Sequence, residues 1–172
     1  MDQVQKENFV IAYNSAKNLK KNLVDMYSVS SACEVPDVFV SEWAMRNIDT
    51  LARMLGELER VMPAVTGQSG MAQPTKDVAG ETFPDNLSKD VTRQIQKRLF
   101  DEIGTNAGSL YRSLDNISSV AIRPGFDIFI NDWASHNVRK VVAPILRGHE
   151  RLRLHLDPQW PSANSKKGPS PQ

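Results

Sequence analysis

Apolar residues recur at alternating spacings of three and four along four stretches of the chain, a pattern typical of amphipathic helices. Two of these stretches lie before residue 63 and two lie after residue 88. Each continues for several turns, so the pattern predicts four long helices. The apolar positions are Phe9, Ala12, Ala16, Leu19, Leu23 and Met26; Ala44, Ile48, Leu51, Leu55, Leu58 and Met62; Ile103, Ala107, Leu110, Leu114 and Ile117; and Ala134, Val138, Val141, Ile145, Leu152 and Leu156.

Prolines and polar residues separate the predicted helices. Residues 30–36 and 121–125 divide each pair, and each break contains a proline that stops a helix. Residues 63–86 contain three prolines and three glycines, which predicts an irregular connection. Ser88 follows as the predicted N-cap of the third helix. Pro144 lies inside the fourth helix and predicts a bend there.

The same breaks define the expected domain organisation. We expect one helical domain over residues 1–156, with a first hairpin at 3–62, a linker at 63–87 and a second hairpin at 88–156. Residues 157–172 are rich in Ser, Lys, Gly and Pro, which predicts a disordered tail.

The first helix of each pair shares a sequence pattern. Residues 3–29 align without gaps with residues 94–120, where about one or two identities would arise by chance at average composition. The identical pairs are Gln3/Gln94, Gln5/Gln96, Lys6/Lys97, Phe9/Phe100, Ala16/Ala107, Leu19/Leu110, Leu23/Leu114, Ser28/Ser119 and Val29/Val120.

The second helix of each pair repeats as well. Residues 37–48 align with 127–138, and the identical pairs are Asp37/Asp127, Phe39/Phe129, Trp43/Trp133, Ala44/Ala134 and Asn47/Asn137. One hairpin cannot bury the apolar faces of both its helices alone. The repeat therefore predicts an all-α fold, a pseudo-two-fold four-helix bundle made from a duplicated helical hairpin.

The repeated residues suggest structural roles first. Packing explains the pairs Phe9/Phe100 and Phe39/Phe129, which we expect in the core. For Trp43 and Trp133 we also expect packing, in the core or at a subunit contact, rather than ligand stacking. Asn47 and Asn137 lie beside the apolar stripes, where a half-buried amide often fixes helix register.

Composition indicates a globular protein without a strong overall charge. Of 172 residues, 40% are hydrophobic and 24% are charged, and the net charge is +1. The only cysteine is Cys33, which excludes an internal disulfide. No apolar run approaches the roughly 20 residues that span a bilayer, and the N-terminal residues do not resemble a secretory signal. We expect a location in the cytoplasm, or in the cytoplasm of a host cell.

Motifs for catalysis or metal binding are not evident. Asp132 and His136 stand four apart on one helix, as two metal ligands can, but the equivalent residues in the first repeat are Glu42 and Arg46. Arginine does not ligate metals, so we expect no metal site. Because the sequence carries no catalytic signature, we also expect no cofactor and no enzymatic activity. An enzyme or a small apolar-ligand binder would instead need a pocket in the bundle, which the small residues Gly104 and Gly108 could provide.

The fourth helix carries a basic stripe. His136, Lys140, Arg147 and Arg151 are predicted to share one side, with Arg139 and Arg153 beside them. Such a stripe could follow phosphates, although basic residues are also favoured near a helix C-terminus. The leading functional hypothesis is a non-enzymatic interaction or assembly protein with a protein partner or self-association. Nucleic-acid binding through the basic stripe is the alternative.

Overall fold

The computed structural model describes residues 3–67, 80–119 and 128–157. Its helices are α1 (Gln3–Ser31), α2 (Val38–Thr66), α3 (Lys89–Ser119), α4 (Ile128–Asn137) and α5 (Ala143–Leu156), with a π-helical segment at Val138–Val142 between α4 and α5. Within these ranges all regular secondary structure is helical. Some predicted features lie outside the described residues: the break at 121–125, residues 120 and 127 of the repeat, residues 68–79 of the linker, and residues 158–172 of the tail.

Helices α1 and α3 run antiparallel through the centre of the molecule. Asn8, near the start of α1, hydrogen-bonds to Asn116, near the end of α3, at 3.2 Å. Asn22, further along α1, bonds to Glu102, which lies earlier in α3, at 2.7 Å. Helix α2 packs along α1, and the α4–α5 segment packs along α3. The prediction that four helical segments pack together around one core is confirmed.

The core is built from the predicted apolar stripes. It includes the repeated positions Phe9 and Phe100, which are 1% and 4% exposed. Burial of these faces is the main stabilising contribution to the fold. The largest fully buried side chains are Phe9, Leu19, Leu23, Met26, Leu51, Met54, Leu58, Leu99, Ile103, Leu110, Leu114 and Ile117.

Polar side chains cap the N-termini of α2 and α3, and α2 ends later than predicted. The Asp37 side chain caps α2 by accepting a hydrogen bond from the Val40 N–H at 3.2 Å. The Ser88 hydroxyl accepts one from the Val91 N–H at 3.4 Å at the start of α3. Helix α2 continues through Pro63 to Thr66 and ends at Gly67, whose φ of 71° suits a left-handed cap. The connection between the hairpins therefore begins later than predicted.

The fourth predicted helix departs from α geometry just before Pro144. Pro144 lies in the first turn of α5, and its nitrogen has no hydrogen to donate to the preceding turn. The Ala143 N–H instead donates to the Val138 carbonyl, which is the i→i+5 spacing of a π-helix. The change of hydrogen bonding lies in the segment Val138–Val142, just before Pro144, where the sequence predicts a bend.

One pair of repeated aromatic residues was wrongly assigned to the core. Phe39 is 50% exposed and Phe129 is 80% exposed. Both lie in the first turn of a helix, where no preceding turn of the same helix shields the ring. Phe39 nevertheless contacts the His155 ring of α5, at 4.6 Å between centroids. Trp43 and Trp133 are partly buried and pack against the core.

None of the helices in the described ranges combines the length and apolar character that a bilayer crossing requires.

Candidate functional site

A groove runs between the N-terminal half of α2 and α5, with a volume of about 420 Å³. The close approach of Trp43 to Gly148 forms its floor, since a Cβ atom at Gly148 would overlap the indole nitrogen. A glycine at this position lets the two helices meet around the indole. The groove is lined by Phe39, Trp43, Arg46, Asn47, Pro144, Arg147, Gly148 and Arg151.

Three of the lining residues are arginines and none is acidic. Arg46 comes from α2, while Arg147 and Arg151 come from one face of α5, and all three are exposed. In the part of the chain that the structure describes, no ion pair joins these guanidinium groups to a carboxylate. The groove therefore concentrates positive charge although the whole chain carries a net charge of only +1.

Aromatic side chains accompany these cations. Phe39 stands at one end of the groove, half exposed, with its ring centroid 4.6 Å from that of His155. Trp43 is half-buried, so only part of its indole faces the groove. Guanidinium groups beside accessible aromatic rings are the combination that binds phosphates and stacks on bases.

The six predicted nucleic-acid-binding residues divide into three groups. Arg147 and Arg151 line the groove. His136, Arg139 and Lys140 are exposed, but they lie on α4 and the π segment and do not line it. Five residues of π-helix turn less about the axis than five residues of α-helix, which displaces these three from the stripe expected on a regular helix.

Arg153, the sixth predicted residue, is engaged in an ion pair. Its guanidinium lies 2.6 Å from the Glu150 carboxylate, and the side chain is 12% exposed. Arg46, in contrast, was missed as a groove residue. Its only sequence signal is that the repeat aligns it with His136, a member of the predicted stripe.

The repeated asparagines bond locally. Asn47 Nδ2 donates to the Trp43 carbonyl at 2.8 Å, and Asn137 Nδ2 donates to the Trp133 carbonyl at 2.9 Å. Both partners lie one turn earlier on the same helix, so these bonds do not by themselves set the register between helices. Asn47 also lines the groove.

The space beside Gly104, where a ligand pocket was considered, is filled by the His149 ring. A Cβ atom at Gly104 would lie 2.9 Å from His149 Cε1. The ring stacks on Phe100 at 3.8 Å between centroids, and burial lowers the pKa of His149. Gly108 faces only the Arg112 side chain, at 3.8 Å.

Among the described residues, no three histidine, cysteine, aspartate or glutamate side chains lie close enough together to hold a metal ion.

Comparison of the chain with protein-family models, with curated proteins and with solved structures finds no match.

Proposed function

We propose that this protein binds single-stranded nucleic acid in the groove between α2 and α5. The observation that carries the proposal is the convergence of Arg46, Arg147 and Arg151 beside Phe39 and Trp43, with no acidic residue in the lining. Phosphates would pair with the guanidinium groups, and a base would stack on the exposed Phe39 ring.

A single strand fits this geometry better than a duplex. The groove is a short cleft of about 420 Å³, which suits a few flexible nucleotides whose bases are free to stack. The cations are local and the net charge is small, so binding should be modest in affinity and sensitive to salt. With three phosphate contacts, the logarithm of affinity should fall with the logarithm of salt concentration with a slope of about −2.

The test is fluorescence anisotropy with labelled single-stranded RNA and DNA oligonucleotides at several salt concentrations. The triple variant R46Q/R147Q/R151Q should lose at least about tenfold in affinity and most of the salt dependence. A matched control is R53Q/R60Q/R112Q, which removes the same charge from exposed arginines outside the groove. Equal losses in both variants, or no loss in the groove variant, would contradict the proposal.

A second candidate is an assembly protein, favoured by exposed apolar pairs at equivalent positions of the two repeats. Val38 and Phe39 are 59% and 50% exposed, and Ile128 and Phe129 are 55% and 80% exposed. Exposed apolar groups of this size often mark protein contacts. Light scattering on wild type and on I128S/F129S would test this candidate, which requires an oligomer that the variant weakens.

We further propose that the fold derives from a duplicated hairpin. The antiparallel α1–α3 pairing is what a two-fold axis between two copies of one helix would produce. Each tryptophan contacts a helix of the other half: Trp133 Nε1 donates to Glu57 of α2 at 2.6 Å, while Trp43 of α2 lies against Gly148 of α5. Carrying the offset of the 37–48/127–138 alignment forward places Glu57 opposite Arg147 and Leu58 opposite Gly148. The two tryptophans thus contact neighbouring positions of the repeat, which supports a common origin for the two halves.

We infer a cytoplasmic location, in a cell or in its host. Cys33 is a buried free thiol, which suits a reducing compartment.

A further inference from the structure

A second cleft, of about 350 Å³, lies where three separate segments meet. One side is apolar and comes from the α1–α2 connection and the start of α2. The other side is polar and comes from the first turns of α3 and the end of α5. The apolar side is lined by Val35, Pro36, Val38 and Phe39, and the polar side by Asp37, Lys89, Thr92, Arg93, Gln96 and His155.

The only carboxylate in this lining is already occupied. Asp37 accepts hydrogen bonds from the Val40 N–H at 3.2 Å and from Gln96 Nε2 at 3.4 Å. His155 Nε2 lies 3.0 Å from the same carboxylate. Asp37 therefore orders the cleft wall, and its charge is shared among several donors.

Two neighbouring polar groups have no hydrogen-bond partner. Arg93 Nη1 is buried and makes no hydrogen bond, since the nearest carboxylate oxygen, on Asp37, is 3.8 Å away. Thr92 is 5% exposed, and its hydroxyl is also unpartnered. The Arg93–Asp37 distance allows a weak ion pair but no hydrogen bond, and leaving a buried polar atom without a hydrogen bond is costly. Lys89 adds a second cation at the mouth. The site is thus short of an acceptor, and an anion would supply one.

We propose that this cleft binds a small organic anion that carries a carboxylate or a phosphate on an apolar body. The anionic group accepts hydrogen bonds from Arg93 and Lys89, and the apolar body lies against Val35, Pro36 and Phe39. This site is separate from the nucleic-acid groove, and Phe39 is the one lining residue that the two share.

The test is a two-dimensional ¹H–¹⁵N NMR titration of the full chain with benzoate, phenyl phosphate, inorganic phosphate and, as a neutral analogue, benzyl alcohol. The organic anions should give saturable shifts in residues 35–39, 89–96 and 155. Benzoate and phenyl phosphate distinguish the two head groups, and a response to either supports the proposal. Absence of saturable shifts with both anions, or an equal response to benzyl alcohol, would overturn it.

Variants then test the two cations separately. R93Q should weaken binding of the responding anion at least about tenfold, as loss of a charge-assisted hydrogen bond does. Because Arg93 lies near Asp37 and its loss could disturb the cleft wall, K89Q provides a second variant at an exposed position, and it too should weaken binding. R112Q is the matched control, because Arg112 is exposed on α3 and lines neither cleft, and it should bind as wild type does. Unchanged affinity in K89Q and in a folded R93Q would overturn the proposal, whatever the outcome for nucleic acid.

Discussion

At the scale of single residues, Thr92 makes a direct prediction. Its buried hydroxyl has no partner, so T92V should be as stable as wild type or more stable by about 1 kcal/mol in the absence of ligand. The measurement is urea unfolding. T50V serves as the control, because the Thr50 hydroxyl donates to the Arg46 carbonyl at 3.1 Å. A destabilisation of T92V beyond that of T50V would mean that the Thr92 hydroxyl does have a partner.

His149 predicts a pH dependence of stability. Burial lowers its pKa in the folded protein, so the unfolded chain binds a proton more readily. Its contribution to stability is fully present above the ordinary histidine pKa of about 6.5 and is lost as the pH falls toward the lower folded pKa. Urea unfolding between pH 7.5 and 5 should therefore show a smaller loss of stability in H149Q than in wild type.

Glutamine is a suitable replacement at this position because it can still donate to the Phe100 carbonyl, which His149 Nε2 contacts at 2.8 Å. H136Q is the matched control, since His136 is exposed on α4. If H136Q flattened the pH profile as much as H149Q does, the dependence could not be assigned to the buried ring.

At the scale of helices, the contact of α2 with α5 predicts opposite effects for two glycines. G148A should destabilise the fold by about 1–3 kcal/mol, because the new methyl overlaps the Trp43 indole and forces the helices apart. G56A should stabilise it by about 0.5–1 kcal/mol, because nothing lies within 4 Å of the added Cβ and alanine favours helix. Thermal unfolding checks both, and a stabilised G148A would contradict the described packing.

The periodicity of apolar residues was sufficient to predict the helices, because burial of one face dominates their stability. It could not predict the π segment. Val138, Val141 and Ile145 are all buried, as a regular helix would have them, and only the missing N–H of Pro144 signals a change of hydrogen bonding. The periodicity also could not predict that Phe39 is exposed. A residue in the first turn of a helix has no preceding turn of the same helix to cover its side chain.

The candidate sites depend on positions far apart in the chain, which explains why sequence reasoning found only part of them. Arg147 and Arg151 were recognisable on one helix, but Arg46 joins them only through the α2–α5 contact. Asp37, Arg93 and His155 come together from three elements, and no spacing between them has a meaning in sequence. A sequence motif identifies residues that lie close together in the chain, whereas both clefts form where separate helices pack against each other.

At the scale of the whole molecule, the central α1–α3 pair predicts how the chain behaves when it is divided. A hairpin produced alone exposes the apolar face that packs against the other hairpin in the intact chain. Neither residues 1–74 nor residues 75–172 should therefore fold into a stable monomer. Mixed, they should form a one-to-one complex with cooperative thermal unfolding. Size-exclusion chromatography with light scattering, together with circular dichroism, measures both results.

The proposed duplication makes a further prediction for the first half. If the two hairpins share an ancestor that paired with itself, residues 1–74 alone should form a homodimer in which two copies of α1 pack antiparallel, as α1 and α3 do in the intact chain. The control is the full chain carrying a protease site between residues 68 and 79, which should stay associated after cleavage. A first half that is monomeric and folds cooperatively would contradict the dependence of each hairpin on the other. If residues 1–74 stay unfolded alone but assemble with residues 75–172, each hairpin does depend on the other for folding. That result would still argue against an ancestor that paired with itself.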